Sequence, residues 1–170
     1  MTAINKKINI FSENIFEDWR IDERKFIHIA KQILKYYLSK ENIYKTSCLA
    51  GYNFNILSFD FLYCDSKKTH EINLEYRQKD YPADIITFAV FADSDEKFIF
   101  DGEINLGEVI IALDKVTEEA QKKDTEKEYE LAFLISHGIL HLLGFDHQTI
   151  EDYNFVVKLQ EEALDKIKDL

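Results

Sequence analysis

The run His137-Gly138-Ile139-Leu140-His141-Leu142-Leu143-Gly144-Phe145-Asp146-His147 reads H-x3-H-x2-G-x2-H. Its first two histidines stand four apart, so on a helix their imidazoles share one face. Gly144 suits the end of such a helix, because glycine accepts the left-handed conformation that closes a last turn. A straight helix would carry His147 about 15 Å along the axis from His137. The run therefore predicts a helix over 127–143, a stop at Gly144, and His147 folded back toward the other two. Three neutral imidazoles at one point with a fourth position open form the donor set of a catalytic zinc. Three of the five histidines of the chain fall within these eleven residues.

The same spacing occurs in the metzincin peptidases, where a glutamate directly after the first histidine acts as general base. Here that position is Gly138, which has no side chain. The ligand spacing is kept and the base is missing, which disfavours proteolysis.

Outward from this helix the chain alternates helical and extended patterns. Residues 2–12 read as a first strand with Ile8 and Ile10 alternating. Residues 21–40 form an amphipathic helix with Phe26, Ile29, Ala30, Ile33, Leu34, Tyr37 and Leu38 on one side. Residues 51–63 are rich in aromatic and aliphatic residues and read as a strand. A helix is expected over 66–77 and a strand over 85–91. A loop or small hairpin should occupy the acidic 93–104 stretch. A strand at 106–113, a short helix at 116–123 and a closing helix at 149–168 complete the reading. Strands both interleave with helices and follow one another. The expected fold is thus α+β, with a small mixed sheet of about four strands packed with helices and a zincin-like metal site on a helix followed by a turn.

At 170 residues, with no repeat, no low-complexity tract and a single proline, Pro82, the chain reads as one domain spanning 1–170. Apolar residues make up 46%, enough for a buried core and against disorder. No apolar run is long enough for a membrane span, and no secretory pattern follows the basic residues near the N-terminus. Cys48 and Cys64 form no CxxC pair and read as buried thiols in a reducing cytoplasm. The net charge of −11 is unevenly spread. Residues 1–48 hold nine Lys/Arg against six Asp/Glu, whereas 93–130 hold five against thirteen. Any RNA contact must therefore use a local basic surface rather than the field of the whole molecule.

A second chemical segment, Asn73-Leu74-Glu75-Tyr76-Arg77-Gln78-Lys79-Asp80-Tyr81-Pro82-Ala83-Asp84, runs from a helix end into a strand. Arginine at such a place can hold a phosphate bidentately. Cations that simply complement a helix dipole are the other reading of Arg77 and Lys79.

With these residues in view, the chain resembles the YbeY family of metal-dependent endoribonucleases that mature ribosomal RNA. The resemblance spans roughly residues 54–147. The family's N-x2-Y-R-x-K-D-x-P segment is matched by Asn73, Tyr76, Arg77, Lys79, Asp80 and Pro82. Its L-G-D-I-like strand start is matched by Leu106-Gly107-Glu108-Val109. Its three-histidine signature is matched by His137, His141 and His147, with Gly138, Leu140, Leu142, Gly144 and Asp146 also in place. The departures are Ala83 where relatives have threonine, Ile85-Ile86-Thr87-Phe88 for V-L-S-F, Glu108 for aspartate, and Phe133 where relatives often have histidine.

The resemblance implies a single-strand-selective endoribonuclease of ribosomal RNA maturation and ribosome quality control. It implies one Zn²⁺ per chain on His137, His141 and His147. Arg77 would hold the scissile phosphate, and Lys79 would assist at the backbone. Expected partners are ribosomal RNA and the small ribosomal subunit, with no membrane and no DNA, in the cytoplasm. The nucleophile stays open between water and a ribose 2′-OH. Asp146 either orients a ligand imidazole or caps the following helix. Two other readings stand beside this one: a zinc peptidase or amidase, and a ribosome-assembly binding protein whose metal is structural.

Overall fold

The computed structural model describes residues 5–145 and 150–167, with side chains at all of these except 150–153. Four strands form one mixed sheet: β1 (Lys7–Asn14), β2 (Ile56–Cys64), β3 (Ile85–Phe88) and β4 (Glu103–Ala112). Their order is β1-β2-β4-β3. β1, β2 and β4 run parallel, and β3 lies antiparallel to β4 at the edge. Among the described residues seven helices surround the sheet: α1 (Glu23–Ser39), α2 (Glu41–Thr46), α3 (Ser66–Ile72), α4 (Val90–Asp93), α5 (Leu113–Lys123), α6 (Lys127–Leu142) and α7 (Ile150–Asp165). A π-helical turn, Asn73–Arg77, extends α3. The architecture is the expected α+β one.

Strand alternation sorts the core into two layers. Leu57, Phe59, Phe61 and Tyr63 of β2 face the main core with Ile8 and Ile10 of β1 and the apolar sides of α1 and α6. Leu62 and Cys64 of β2 face the other way, toward Ile72 of α3, with Ile86, Phe88 and Ile110. The edge strand serves both layers, since Ile85 packs against the main core while Ile86 belongs to the second.

In β4 the alternation breaks once. The register with β2 passes from Ser58↔Asn105 to Phe59↔Gly107, so Leu106 is an extra residue. This bulge lets Ile104 and Leu106 before it, and Val109 and Ile111 after it, all reach the main core. Gly107 has φ +132°, and a Cβ there would sit 1.9 Å from the Phe88 carbonyl oxygen. Only glycine lets the chain leaving β3 cross the central strand so closely.

The seven core positions expected on α1 are the ones the helix buries. Asp22 caps it by accepting a hydrogen bond from the Lys25 N–H at 3.1 Å. Elsewhere boundaries move. β1 lies a few residues later than expected, and β4 begins at Glu103 rather than 106. β3 stops at Phe88 because the chain turns into α4. The two-residue turn at Asp101–Gly102 places the hairpin expected in the acidic stretch at 100–103. α2 is an addition that buries only Ile43. Both cysteines are free; Cys64 is buried and Cys48 half-buried.

Candidate metal centre and phosphate-binding turn

Helix α6 is fixed at both ends of its histidine segment. Just before His137, the buried Tyr37 of α1 donates its hydroxyl to the Ser136 carbonyl at 3.2 Å. Burial raises the Tyr37 pKa above the ordinary phenol range, so it stays a donor. At the far end Gly144 adopts φ +94°. Its N–H donates to the His141 carbonyl and the Phe145 N–H to the Leu140 carbonyl, both at 3.0 Å. This is a Schellman closure, and it satisfies carbonyls that the helix itself leaves orphaned. The Cys48 N–H takes up another, donating to the Leu143 carbonyl at 2.9 Å. The helix stops where the sequence predicts.

His137 and His141 are both half-buried, and their ring centroids lie 4.5 Å apart. Of the three expected ligands these two are brought together. His147 and Asp146 lie outside the described residues. Among the described residues, no group of three His, Cys, Asp or Glu side chains is placed to hold a metal ion. The donors present are imidazoles one helical turn apart, a chemistry that fits Zn²⁺ and suits hard oxygen-seeking cations poorly.

Gly138 turns toward the sheet. A Cβ at this position would lie 2.8 Å from Val109 Cγ1 and 3.2 Å from Ile85 Cδ1. The position that carries a glutamate base in metzincins is thus pressed against β4 and β3 with no room for a carboxylate. Sequence alone showed the side chain missing; the structure supplies the packing reason.

A cleft of about 200 Å³ opens beside His137, walled by Phe133, Val156 and Gln160 and by Asp84 at the entrance to β3. Asp84 retains solvent contact, yet desolvation in the cleft wall raises its carboxyl above the ordinary range. The backbone N–H groups of Ile85 and of Asp84 itself pull the other way. Asp84 escaped the sequence reading. The only signal was a carboxylate between Pro82-Ala83 and an apolar strand, which also describes an ordinary loop end.

Arg77 and Lys79 sit on the π turn and the residues after it, a segment organised by the buried Asn73. The Asn73 carbonyl accepts from the Lys79 N–H at 3.0 Å. Its side-chain amide donates to the Tyr81 carbonyl at 2.8 Å, and its Oδ1 accepts from Arg77 Nη1 at 3.4 Å. Thr69 Oγ1 donates to the Ala83 carbonyl at 2.7 Å and accepts from the Ala83 N–H at 3.2 Å. Asp80 is held by His70 at 2.7 Å. The loop is therefore pinned without a hydroxyl at position 83. Arg77 itself is exposed, and Lys79 is half-buried.

The turn lies on the α3 side of the sheet, where the Tyr76 ring meets Phe88 edge-on at 5.9 Å. Helix α6 packs on the other side. Arg77 is not among the residues that line the cleft beside His137. Glu108 lies on the Arg77 side, where desolvation and then the neighbouring Asp60 raise its carboxyl.

Together these features define an α+β protein with paired helical imidazoles beside an edge strand and a pinned basic turn. The family described as Endoribonuclease YbeY matches residues 12–168. The Endoribonuclease YbeY of Oceanobacillus iheyensis is 43% identical over 111 residues, 64% of this chain and 71% of that protein. That of Malacoplasma penetrans is 30% identical over 91% of this chain and 93% of its own length. The solution structure of TM1509 from Thermotoga maritima shares the fold with a TM-score of 0.55 at 23% identity, covering 93% of this chain and 89% of that one. The chain belongs to the YbeY family of endoribonucleases.

Proposed function

We propose that this protein is a zinc-dependent, single-strand-selective endoribonuclease that acts in the cytoplasm on ribosomal RNA precursors and on defective ribosomal RNA of the small subunit. The observation that carries the metal assignment is the pair His137 and His141, ring centroids 4.5 Å apart, on a helix closed by Gly144. These two and His147 would hold one Zn²⁺, which supplies Lewis acidity at a phosphoryl oxygen.

The chain's own residues have separate tasks. Arg77, exposed on a turn that Asn73 holds rigid, offers a planar fork to the scissile phosphate and offsets charge that grows there in the transition state. Lys79 adds a point charge for the neighbouring backbone. The aromatic Tyr76, also exposed, gives an unpaired base a surface to stack on, which favours single strands over duplex. A peptidase reading finds no support at Gly138, where the packing excludes the base.

The test is ribosomal RNA end mapping in cells lacking the protein, complemented with wild type, His141→Ala or Arg77→Ala, alongside zinc content of each purified protein. His141→Ala should lose metal and processing together. Arg77→Ala should keep its zinc and lose processing by orders of magnitude, and Arg77→Lys should restore little. Normal processing by Arg77→Ala would remove its phosphate role, and normal processing by both variants would leave a binding protein with a structural metal.

A further inference from the structure

The segment between α4 and β4 displays two aromatic rings that nothing in the core uses. Phe98 is 74% exposed and Phe100 71%. Their rings lie within 10° of parallel with centroids 6.4 Å apart. Ile99 between them turns inward and packs against the main core.

This is a fixed display rather than a loose loop. Asp101 and Gly102 both have positive φ, and Phe100 and Glu103 exchange backbone hydrogen bonds at 3.2 and 2.9 Å, so a two-residue hairpin turn holds one end. At the other end Lys97 Nζ donates to the Phe91 and Ala92 carbonyls at 2.6 and 3.0 Å. Between this hairpin and Val90, itself 60% exposed, runs a groove of about 490 Å³. Its floor is apolar, and its rim carries Glu96, Asp101 and Glu103.

We infer that this groove docks an extended, cationic segment of a partner polypeptide whose apolar side chains cover Phe98 and Phe100 and whose arginines or lysines meet the acidic rim. Charge selects this occupant. Residues 90–105 carry five carboxylates and one cation, Lys97, and that cation is turned onto backbone carbonyls. A single-stranded RNA would gain base stacking on the two rings. Its phosphates, however, would face carboxylates with no lysine or arginine among the described residues of the groove lining to receive them. A second copy of this chain, joined through the same patch, would set the acidic rims against each other. A polypeptide with alternating basic and apolar residues satisfies both halves of the groove. Arginine in particular pairs with carboxylates and lies flat on aromatic faces. The preformed hairpin lowers the ordering cost of such a contact. The groove lining includes neither His137, His141 nor Arg77, so docking there is separable from the nuclease activity.

The experiment is fluorescence anisotropy with a labelled peptide of about twelve residues alternating arginine and leucine, some 40 Å when extended. Arginine–serine and glutamate–leucine peptides and an oligouridine of similar length are run beside it. The arginine–leucine peptide should bind saturably and more weakly as salt rises, and both control peptides about tenfold more weakly. Phe98→Ser with Phe100→Ser should weaken it about tenfold, as should Glu96→Gln with Asp101→Asn. Glu118→Gln with Glu119→Gln, on the exposed face of α5, should leave it unchanged. Equal weakening by the α5 pair, or none by either groove pair, overturns the proposal. So does tighter binding of the oligouridine, or a dimer in sedimentation that the phenylalanine changes abolish.

Discussion

Replacing Gly138 with alanine probes the contact that seats the histidine helix on the sheet. The added Cβ would sit 2.8 Å from Val109 Cγ1 and 3.2 Å from both Val109 Cγ2 and Ile85 Cδ1. Ordinary carbon–carbon contacts lie near 3.5–4.0 Å, so helix or valine must shift by several tenths of an ångström. Valine is stiff about its one torsion and is fully buried, which leaves it little freedom to yield. Overpacking of this kind costs about 1–3 kcal/mol. Alanine returns up to about 1 kcal/mol in helix propensity. The net expectation is a loss of about 1 kcal/mol.

Val109→Ala alone removes two buried methyl groups, about 1.6 kcal/mol of transfer free energy with a cavity contribution in addition. In the double variant the new methyl occupies part of the space vacated. The two losses should then fall short of adding by about 1–2 kcal/mol. Urea unfolding midpoints at constant m, with zinc removed by chelation from all four proteins, measure the cycle. Additive losses, or a Gly138→Ala protein more stable than wild type, would refute the close-contact account and treat position 138 as an ordinary helix site.

Gly107→Ala should be far more damaging, above about 4 kcal/mol or failing to fold, because its Cβ would overlap the Phe88 carbonyl at a φ that alanine rarely adopts; expression and circular dichroism read this directly. His137→Ala should lower zinc content as His141→Ala does, measured by atomic absorption on dialysed protein. Burial pushes the Cys48 thiol up to about 11 and Cys64 to about 12, against about 8.5 in an unfolded chain. Above pH 9 the unfolded state therefore gives up these protons first, and the stability that burial of neutral thiols confers falls as pH rises toward 12. Cys64→Ala should flatten the alkaline limb of a urea-midpoint profile; an unchanged limb would assign it to the buried tyrosines instead.

Local patterns in the sequence identified most elements. The α1 periodicity named its buried residues because a single helical stripe faces one core. Gly144 marked the end of α6 because a left-handed residue closes that turn whatever lies around it. Two features left no local pattern to read. α2 buries only Ile43 and so shows no period. The bulge at Leu106–Gly107 answers to a chain crossing nearly twenty residues earlier. Asn73 was legible as part of a motif, but its role as the tie among Arg77, Lys79 and Tyr81 needed coordinates.

The edge strand has a consequence for motion. β3 is four residues long and, among the described residues, pairs with β4 alone, so it is held more weakly than the strands inside the sheet. Yet Ile85 reaches the layer under Gly138 while Phe88 touches Tyr76 beside Arg77. If the strand detaches, support is withdrawn from the histidine helix and from the basic turn in one event. Amide protons of residues 85–88 should then exchange with solvent at a common rate through a sub-global opening. The two sides of the proposed site would loosen and re-form as a single cooperative unit.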